Sequence, residues 1–275
     1  MKSLLSTNHG NQPKMDPTTT PRLLVSVRNL HEARQAVAGG ADWIDLKDPQ
    51  QGPLGPVDAT AAHEVAEAFS TSHPLSAAAG ELQSWLSQGT SSGLGRQPAE
   101  GEGHLEDKGQ RLLNVPGIQL LKLGLAGCGD MSHWQDQWSV AQGQIHKAGK
   151  HLVAVVYADW QEAAAPRPEQ VVEHATGNQC EYLLIDTFCK TEGTMLDCLR
   201  AGELALMLEH ARKASIRTVV AGSLSIASLP HLLRLPIDLV AVRGAVCTGG
   251  RSGTLQRNRI EQFQGALKAL PWRHG

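Results

Sequence analysis

The sequence predicts an α/β protein that folds as a single (β/α)8 TIM barrel, and three observations lead to this expectation. The chain has 275 residues, 41% of them hydrophobic, and single barrels typically contain roughly 250 residues. Short apolar runs alternate with helical patterns, as expected for repeated βαβ units. Polar residues or glycines follow several of the apolar runs, and in a closed barrel all of these positions meet on one face.

Eight strands are predicted from the apolar runs. In chain order they are Leu23–Val27, Trp43–Leu46, Leu75–Ala79, Ile118–Leu123, Leu152–Tyr157, Tyr182–Ile185, Thr218–Ala221 and Ile237–Val242. Helices are predicted over Leu30–Ala38, Ala59–Phe69, Trp134–Lys147, Pro168–Ala175, Glu203–Ala214, Ile226–Arg234 and Leu255–Leu270. A barrel and a wide open sheet both satisfy the right-handed crossover rule. The polar strand ends favour the barrel, because an open sheet would spread them along a line.

Two segments interrupt this alternation. Residues 1–21 include a stretch rich in Ser, Thr, Asn, Gln and Pro, which cannot bury enough apolar area to offset the entropy of ordering, so we expect a disordered tail. Residues 84–113 lack periodic apolar residues, which predicts a flexible insertion after strand three. The third helix is then short, displaced or missing, with 105–113 as one candidate for it. The expected domain is therefore a barrel over 22–275.

Composition argues against several classes of protein. The net charge of -2 and the pI of 6.6 give no field that attracts nucleic acid or an anionic membrane. No apolar run is long enough for a membrane span or a signal peptide. The five cysteines form no CxxC pair, which favours a reducing compartment, so we expect a cytoplasmic protein. The twelve histidines form no HxxxH or HExxH pair, so no metal site is predicted.

Charged residues lie at the ends of three predicted strands. Alternation places Asp45 and Lys47 on one strand face, although such side chains are seldom buried without partners. Lys122 follows the apolar residues Ile118–Leu121 at the end of the fourth predicted strand. Asp186 comes directly after the apolar residues of the sixth strand, and Lys190 lies four residues further on. Simpler interpretations exist when these residues are taken alone. Asp45 and Lys47 could form a plain salt bridge, Lys122 could be a lysine that reaches solvent, and Asp186 could be a helix N-cap.

A barrel would bring these five residues to one mouth, which suits lysine chemistry. Repulsion between ammonium groups and partial desolvation lower a lysine pKa toward a value at which the neutral amine attacks a carbonyl. Neighbouring carboxylates raise the pKa of the lysine, so the sequence leaves the net effect open. The combination is typical of a Schiff-base enzyme in which an aspartate moves protons.

The last two strands are followed by a candidate phosphate site. Gly222 and Ser223 follow strand seven, and Arg243 and Gly244 follow strand eight. Backbone amides exposed at glycines bind anions, and barrels often bind phosphate at these two loops. An arginine would add a charged donor. The simpler alternative is that the glycines only make tight turns.

Several of these phrases occur together in a known family. They are LLVSV at Leu23–Val27, AGGADWIDLKDPQQGPLG at Ala38–Gly55, LLKLGL at Leu120–Leu125, YLLIDTFCK at Tyr182–Lys190, and AGSL and AVRGAVCTGG near the end. In these motifs, from Arg22 to about Leu270, the chain resembles the (5-formylfuran-3-yl)methyl phosphate synthase family, also called 4-(hydroxymethyl)-2-furancarboxaldehyde-phosphate synthase. The tail and the segment 84–113 depart from the family pattern.

The resemblance implies a cofactor-free lyase of methanofuran biosynthesis. Such an enzyme joins two molecules of glyceraldehyde 3-phosphate, with loss of one phosphate and water, into a furan aldehyde phosphate. The family's Schiff-base lysine matches Lys47, and its other functional positions match Asp45, Lys122, Asp186 and Lys190. On this interpretation Asp45 orients Lys47 or tunes its pKa. The resemblance leaves open an exchange of roles between Lys47 and Lys190.

Two alternatives remain at this point. One is a different Schiff-base barrel aldolase or isomerase that acts on another sugar phosphate. The other is a protein that binds a phosphorylated ligand without turnover, its lysines serving only as anion contacts. For each of them the partner is a small molecule, and pairing of outer helices, common among barrels, favours a homo-oligomer.

Overall fold

Eight parallel strands close into a barrel in the order in which they occur along the chain. The structure, a computed structural model, describes residues 20–87, 108–190 and 193–273. The strands are β1 (Arg22–Val27), β2 (Trp43–Leu46), β3 (Leu75–Glu81), β4 (Leu120–Gly124), β5 (His151–Tyr157), β6 (Tyr182–Asp186), β7 (Arg217–Val220) and β8 (Leu239–Val242). Since β8 also pairs with β1, the predicted (β/α)8 barrel is confirmed.

Helices of the described ranges surround the barrel. They are α1 (Leu30–Ala38), α2 (Ala59–Phe69), α3 (Leu82–Ser87), α4 (Trp134–Lys147), α5 (Pro168–Gly177), α6 (Met195–Cys198), α7 (Ala201–Lys213) and α8 (Arg257–Ala269). The helix predicted at Ile226–Arg234 is present as a 3-10 helix, Ile226–Leu232, which contains Pro230. Proline lacks the N–H group that a continuing α-helix needs.

The two interrupting segments are described only in part. The expected disordered tail lies outside the described residues except for Thr20 and Pro21, and most of the expected insertion, 88–107, also lies outside them. Of the insertion's described ends, Ser84–Ser87 completes α3, and residues 108–114 are helical, with a 3-10 turn at Leu112–Asn114. Helical residues therefore occur at both described ends of the insertion, and the expectation for the third helix otherwise falls on residues outside the described ranges.

Side chains of the strands alternate between two apolar layers. One set packs with the helices, as Leu23 and Ile44 do, while the other forms a separate cluster inside the barrel, as Leu24 and Trp43 do. The inward set becomes polar toward the carboxyl ends of the strands. Its polar members are Ser26, Asp45, Ser76, Lys122, Asp186 and Arg243, all buried. The functional groups therefore lie on top of an apolar barrel floor.

The loop after β8 continues into a small hairpin. A 3-10 turn at Gly244–Val246 is followed by β9 (Cys247–Thr248), which pairs antiparallel with β10 (Thr254–Leu255). The turn of this hairpin holds Arg251 at the barrel mouth. Within the described ranges, no helix combines the length and apolar character needed to cross a membrane.

Candidate functional site

A cavity of about 330 Å³ opens at the carboxyl ends of the strands. All nine predicted site residues line it, namely Asp45, Lys47, Lys122, Asp186, Lys190, Gly222, Ser223, Arg243 and Gly244. They come from strands that are far apart in sequence, and closure of the barrel brings them together. The geometry expected from the strand ends is therefore present, and the role of each residue follows from its contacts.

Asp45 forms a buried ion pair with Lys122. The Lys122 Nζ lies 2.6 Å from Asp45 Oδ1, and the hydroxyl groups of Ser26 and Ser76 donate to the same carboxylate at 2.8 and 2.7 Å. Register explains the set, since Asp45 lies opposite Ser26 on β1 and opposite Ser76 on β3. Burial lowers the pKa of Lys122, and Asp45 opposes that effect.

Lys47 forms its ion pair with Asp186 instead. Its Nζ lies 3.3 Å from Asp186 Oδ2, because Lys47 follows the last residue of β2 and extends across the barrel mouth. The expectation that Asp45 orients Lys47 is therefore wrong in its choice of carboxylate. Strand alternation correctly placed both residues at the mouth but did not indicate which residue from another strand each would meet.

Asp186 lies between two lysines. Besides Lys47, it accepts a hydrogen bond of 2.5 Å from the Lys190 Nζ, and its Oδ1 accepts from the Thr187 amide at 2.8 Å. Burial acts to raise the pKa of the Asp186 carboxyl, but the two ammonium groups lower it well below its usual range. Asp186 is therefore ionised and binds both lysines, while the next described helix, α6, has Thr194 as its N-cap.

Lys190 has the pKa expected of a proton-transfer group. Burial lowers the pKa of Lys190 to about 8, repulsion from Lys47 adds to this effect, and Asp186 opposes it. The Lys190 Nζ also donates to the Thr187 hydroxyl at 3.0 Å. A group with a pKa near neutral pH can both take up and release a proton during turnover.

The loop that carries Lys190 is held by a carboxylate missed by sequence reasoning. Asp159, which follows β5, accepts hydrogen bonds of 2.7 Å from the backbone amides of Phe188 and Cys189. Asp159 is buried, and its two hydrogen bonds fix the backbone of the loop between Asp186 and Lys190. The available signal was the polar residue two positions after the apolar run of β5.

Arg243 binds protein groups with most of its donors. Its guanidinium forms a buried pair with Glu32 at 2.8 and 3.2 Å, and donates to the backbone oxygens of Ser26 at 2.9 Å and Arg251 at 2.7 Å. These contacts occupy most of the guanidinium, so a phosphate contact of Arg243 stays a prediction. They also fix the hairpin turn that carries Arg251.

Arg251 is the cation that sequence reasoning missed. It lines the cavity, and its Nη2 donates to the backbone oxygens of Pro49 and Gly52 at 3.1 and 3.0 Å. These two residues belong to the loop after Lys47, so Arg251 joins the last loop of the barrel to the loop of the candidate imine lysine. The glycine-rich turn that precedes Arg251 was its only signal in the sequence.

The loops after β7 and β8 line the cavity with residues whose backbone amides donate no hydrogen bond within the described ranges. Gly222 and Ser223 have φ angles of 91° and 57°. Within the described ranges, no hydrogen bond uses the N–H groups of Gly222, Ser223, Gly244 or Ala245, and all four residues line the cavity. Such clustered amides are typical of anion sites.

Comparison with known proteins places this geometry in context. The 4-HFC-P synthase family matches residues 23–264. A protein of Methanococcus maripaludis named (5-formylfuran-3-yl)methyl phosphate synthase is 29% identical over 245 residues, which are 88% of this chain and 97% of the relative. The protein of that name from Methanopyrus kandleri is 28% identical over 253 residues, 90% of this chain and 99% of the relative.

Solved structures share the fold at low identity. The crystal structure of 3-hexulose-6-phosphate synthase from Salmonella typhimurium superposes with a TM-score of 0.57 and 17% identity, covering 88% of this chain and 97% of that one. At this identity the likeness shows the barrel fold alone.

Proposed function

The chain belongs to the 4-HFC-P synthase family, and on that basis we propose that it is a (5-formylfuran-3-yl)methyl phosphate synthase. The reaction condenses two molecules of glyceraldehyde 3-phosphate, with loss of phosphate and water, through an imine on a lysine. The product would enter methanofuran biosynthesis, and the enzyme would be a carbon–oxygen lyase. The observation that carries the proposal is the placement of Asp186 between Lys47 and Lys190 inside one cavity.

Lys47 is the proposed imine lysine. Among the described residues its Nζ makes one polar contact, at 3.3 Å with Asp186, whereas the Lys190 Nζ is held by two shorter hydrogen bonds. Lys47 is therefore freer to approach an aldehyde. After proton loss its nitrogen attacks the aldehyde carbon, and the carbonyl oxygen leaves as water. Deprotonation of the neighbouring carbon then yields an enamine, which attacks the aldehyde carbon of the second triose.

Lys190 is the proposed proton-transfer group of these steps, and Asp186 is the proposed counter-charge. Lys190, with its pKa of about 8, takes a proton in its neutral form and returns it as an ammonium ion. Asp186 stays ionised, so it balances the positive charge that develops as the imine becomes protonated. The Lys122 side chain, paired with Asp45, is less exposed than that of Lys47, and we propose that this pair fixes the positions of the reacting groups.

The charge of the cavity supports a phosphorylated substrate. Five cationic side chains line it, against two carboxylates; the cations are Lys47, Lys122, Lys190, Arg243 and Arg251. Two triose phosphates carry several negative charges, which this excess would attract. We propose that the free amides of Gly222, Ser223 and Gly244 hold the phosphate that is retained, while Arg251 stabilises the phosphate that leaves.

Incubation with glyceraldehyde 3-phosphate tests the proposal. We expect a product with the mass and ultraviolet absorbance of the furan aldehyde phosphate and one released phosphate per product. Lys47→Ala should abolish both. Lys150→Ala is the matched control, because Lys150 is also buried but donates to the backbone oxygens of Val115 and Ile118 at the opposite end of the barrel. Release of a non-aromatic sugar phosphate would instead indicate a different aldolase.

A further inference from the structure

The carboxyl end of β3 contains a β-bulge that turns an acidic side chain inward. Ala78 lies opposite Lys122 on β4, whereas Glu81, three residues later, lies opposite Gly124, only two residues later. Gly80 supplies the extra residue with a φ of 90°, a conformation that favours glycine. Ala78 faces the barrel interior, so regular alternation would point Glu81 toward the helices. The bulge reverses that orientation.

The inward carboxyl group is held by two hydrogen bonds. The Tyr157 hydroxyl donates to Glu81 Oε1 at 2.6 Å, and the Ala126 amide donates to Oε2 at 2.9 Å. The bridge from β3 to β5 crosses the end of β4 at Gly124, where an added Cβ would overlap Glu81 Oε2 and lie 2.5 Å from the Tyr157 hydroxyl oxygen. A glycine at that position is therefore a requirement of the Glu81–Tyr157 pair.

The Glu81 carboxyl interacts electrostatically with Lys47 and Asp186. Among the described residues it has no ion-pair partner of its own. Burial raises its pKa, the bonds from Tyr157 and Ala126 oppose this effect, and Lys47 and Asp186 act with opposite signs. Glu81 is partly exposed and lines a second cavity of about 270 Å³ at the same end of the barrel, beside Leu54 and Phe188. A ligand can therefore reach it.

We propose that Glu81, held by Tyr157, removes water from the condensed intermediate bound to the lysine, an inference that rests on the proposed function. In this step a carbon–hydrogen bond next to the imine breaks, and its electron pair forms a carbon–carbon double bond as a carbon–oxygen bond breaks. The protonated Glu81 gives its proton to the departing hydroxyl group, which leaves as water. The resulting carboxylate takes the proton from carbon and is ready for the next turnover.

Glu81→Gln separates this role from imine formation. Its amide oxygen can accept from Ala126, and its NH₂ group can donate to the Tyr157 hydroxyl, so the fold is retained. General acid and base groups contribute about 10² to 10⁴ in rate, and we expect furan formation to fall by at least that lower factor. Borohydride reduction should still trap a lysine adduct, now with the mass of two condensed trioses before dehydration. Glu181→Gln, at the opposite end of β6, is the matched control.

The outcomes distinguish the two proposals. Furan formation by Glu81→Gln at the wild-type rate overturns the inference while leaving the proposed function intact. Loss of the adduct in a variant whose melting temperature matches the wild type also overturns it, because Glu81 would then act before imine formation. Tyr157→Phe keeps the carboxyl group and should lower kcat with little change in KM; an unchanged kcat would contradict its role as the group that holds Glu81. Absence of furan from the wild-type protein would refute the proposed function itself.

Discussion

Replacing Lys122 with methionine tests the buried ion pair beneath the cavity. The Lys122 and Asp45 side chains are 4% and 1% exposed, and their charged atoms lie 2.6 Å apart. Removal of one partner from such a pair costs about 3–5 kcal/mol, since the other charge stays buried. Asp45 keeps the hydroxyl groups of Ser26 and Ser76, which places the expected loss at the lower end, about 3 kcal/mol.

A second substitution should restore part of this loss. Asp45→Asn in the Lys122→Met background removes the uncompensated charge, keeps an oxygen that accepts from one serine hydroxyl, and places an NH₂ group where it can donate to the other. We therefore expect the double variant to be more stable than Lys122→Met alone, by about 2 kcal/mol, since a buried hydrogen-bonded charge left without its partner contributes most of the penalty.

Urea unfolding followed by circular dichroism measures both values. With a slope of about 3 kcal/mol per molar urea, Lys122→Met should lower the midpoint by about 1 M, and the double variant should recover most of that shift. Destabilisation of the double variant by the sum of the two single losses would refute this reasoning. Lys150→Met is the control variant, because it also removes a buried ammonium group, but one that lies away from the cavity and donates to a backbone oxygen.

Two further predictions concern the ionisation of the site and its glycine loop. Because Lys190 acts as a base only when neutral, kcat/KM should rise with pH up to the pKa of about 8. Asp186→Asn should move this rise to lower pH, since the carboxylate raises the pKa of Lys190. A rise that stays at the same pH in Asp186→Asn would assign it to another group. Gly222→Ala should lower the free energy of unfolding by about 1–3 kcal/mol. The φ angle of Gly222 is 91°, and the new Cβ would lie 2.7 Å from the Met195 Cβ. Thermal unfolding measures the loss, and an unchanged melting temperature would show that the loop can relax.

The strand ends could be predicted from the sequence because apolar runs and their polar termini are local features. Asp186 and Lys190 were found in this way. Pairing across strands could not be predicted, because alternation gives the face of a side chain but not its partner. Asp45 was therefore assigned to Lys47, although its carboxylate pairs with Lys122. Glu81 was missed for a related reason: one extra residue at a bulge reverses the face that alternation predicts.

The arginines show a second limit of sequence reasoning. Arg243 was correctly placed at the cavity, but its binding to Glu32 depends on a contact between residues 211 positions apart. Arg251 lies in a hairpin turn without periodicity, where the preceding glycines were the only signal in the sequence. Long-range closure of the barrel, and not local propensity, brings both guanidinium groups to the cavity.

Borohydride trapping tests the central claim most directly. The protein would be incubated with glyceraldehyde 3-phosphate, reduced, digested and mapped by peptide mass spectrometry. We predict a triose-derived adduct on Lys47, absent from Lys47→Ala and accompanied, in the unreduced reaction, by the furan product. A protein that forms the furan while neither Lys47 nor Lys190 carries an adduct would contradict the imine mechanism.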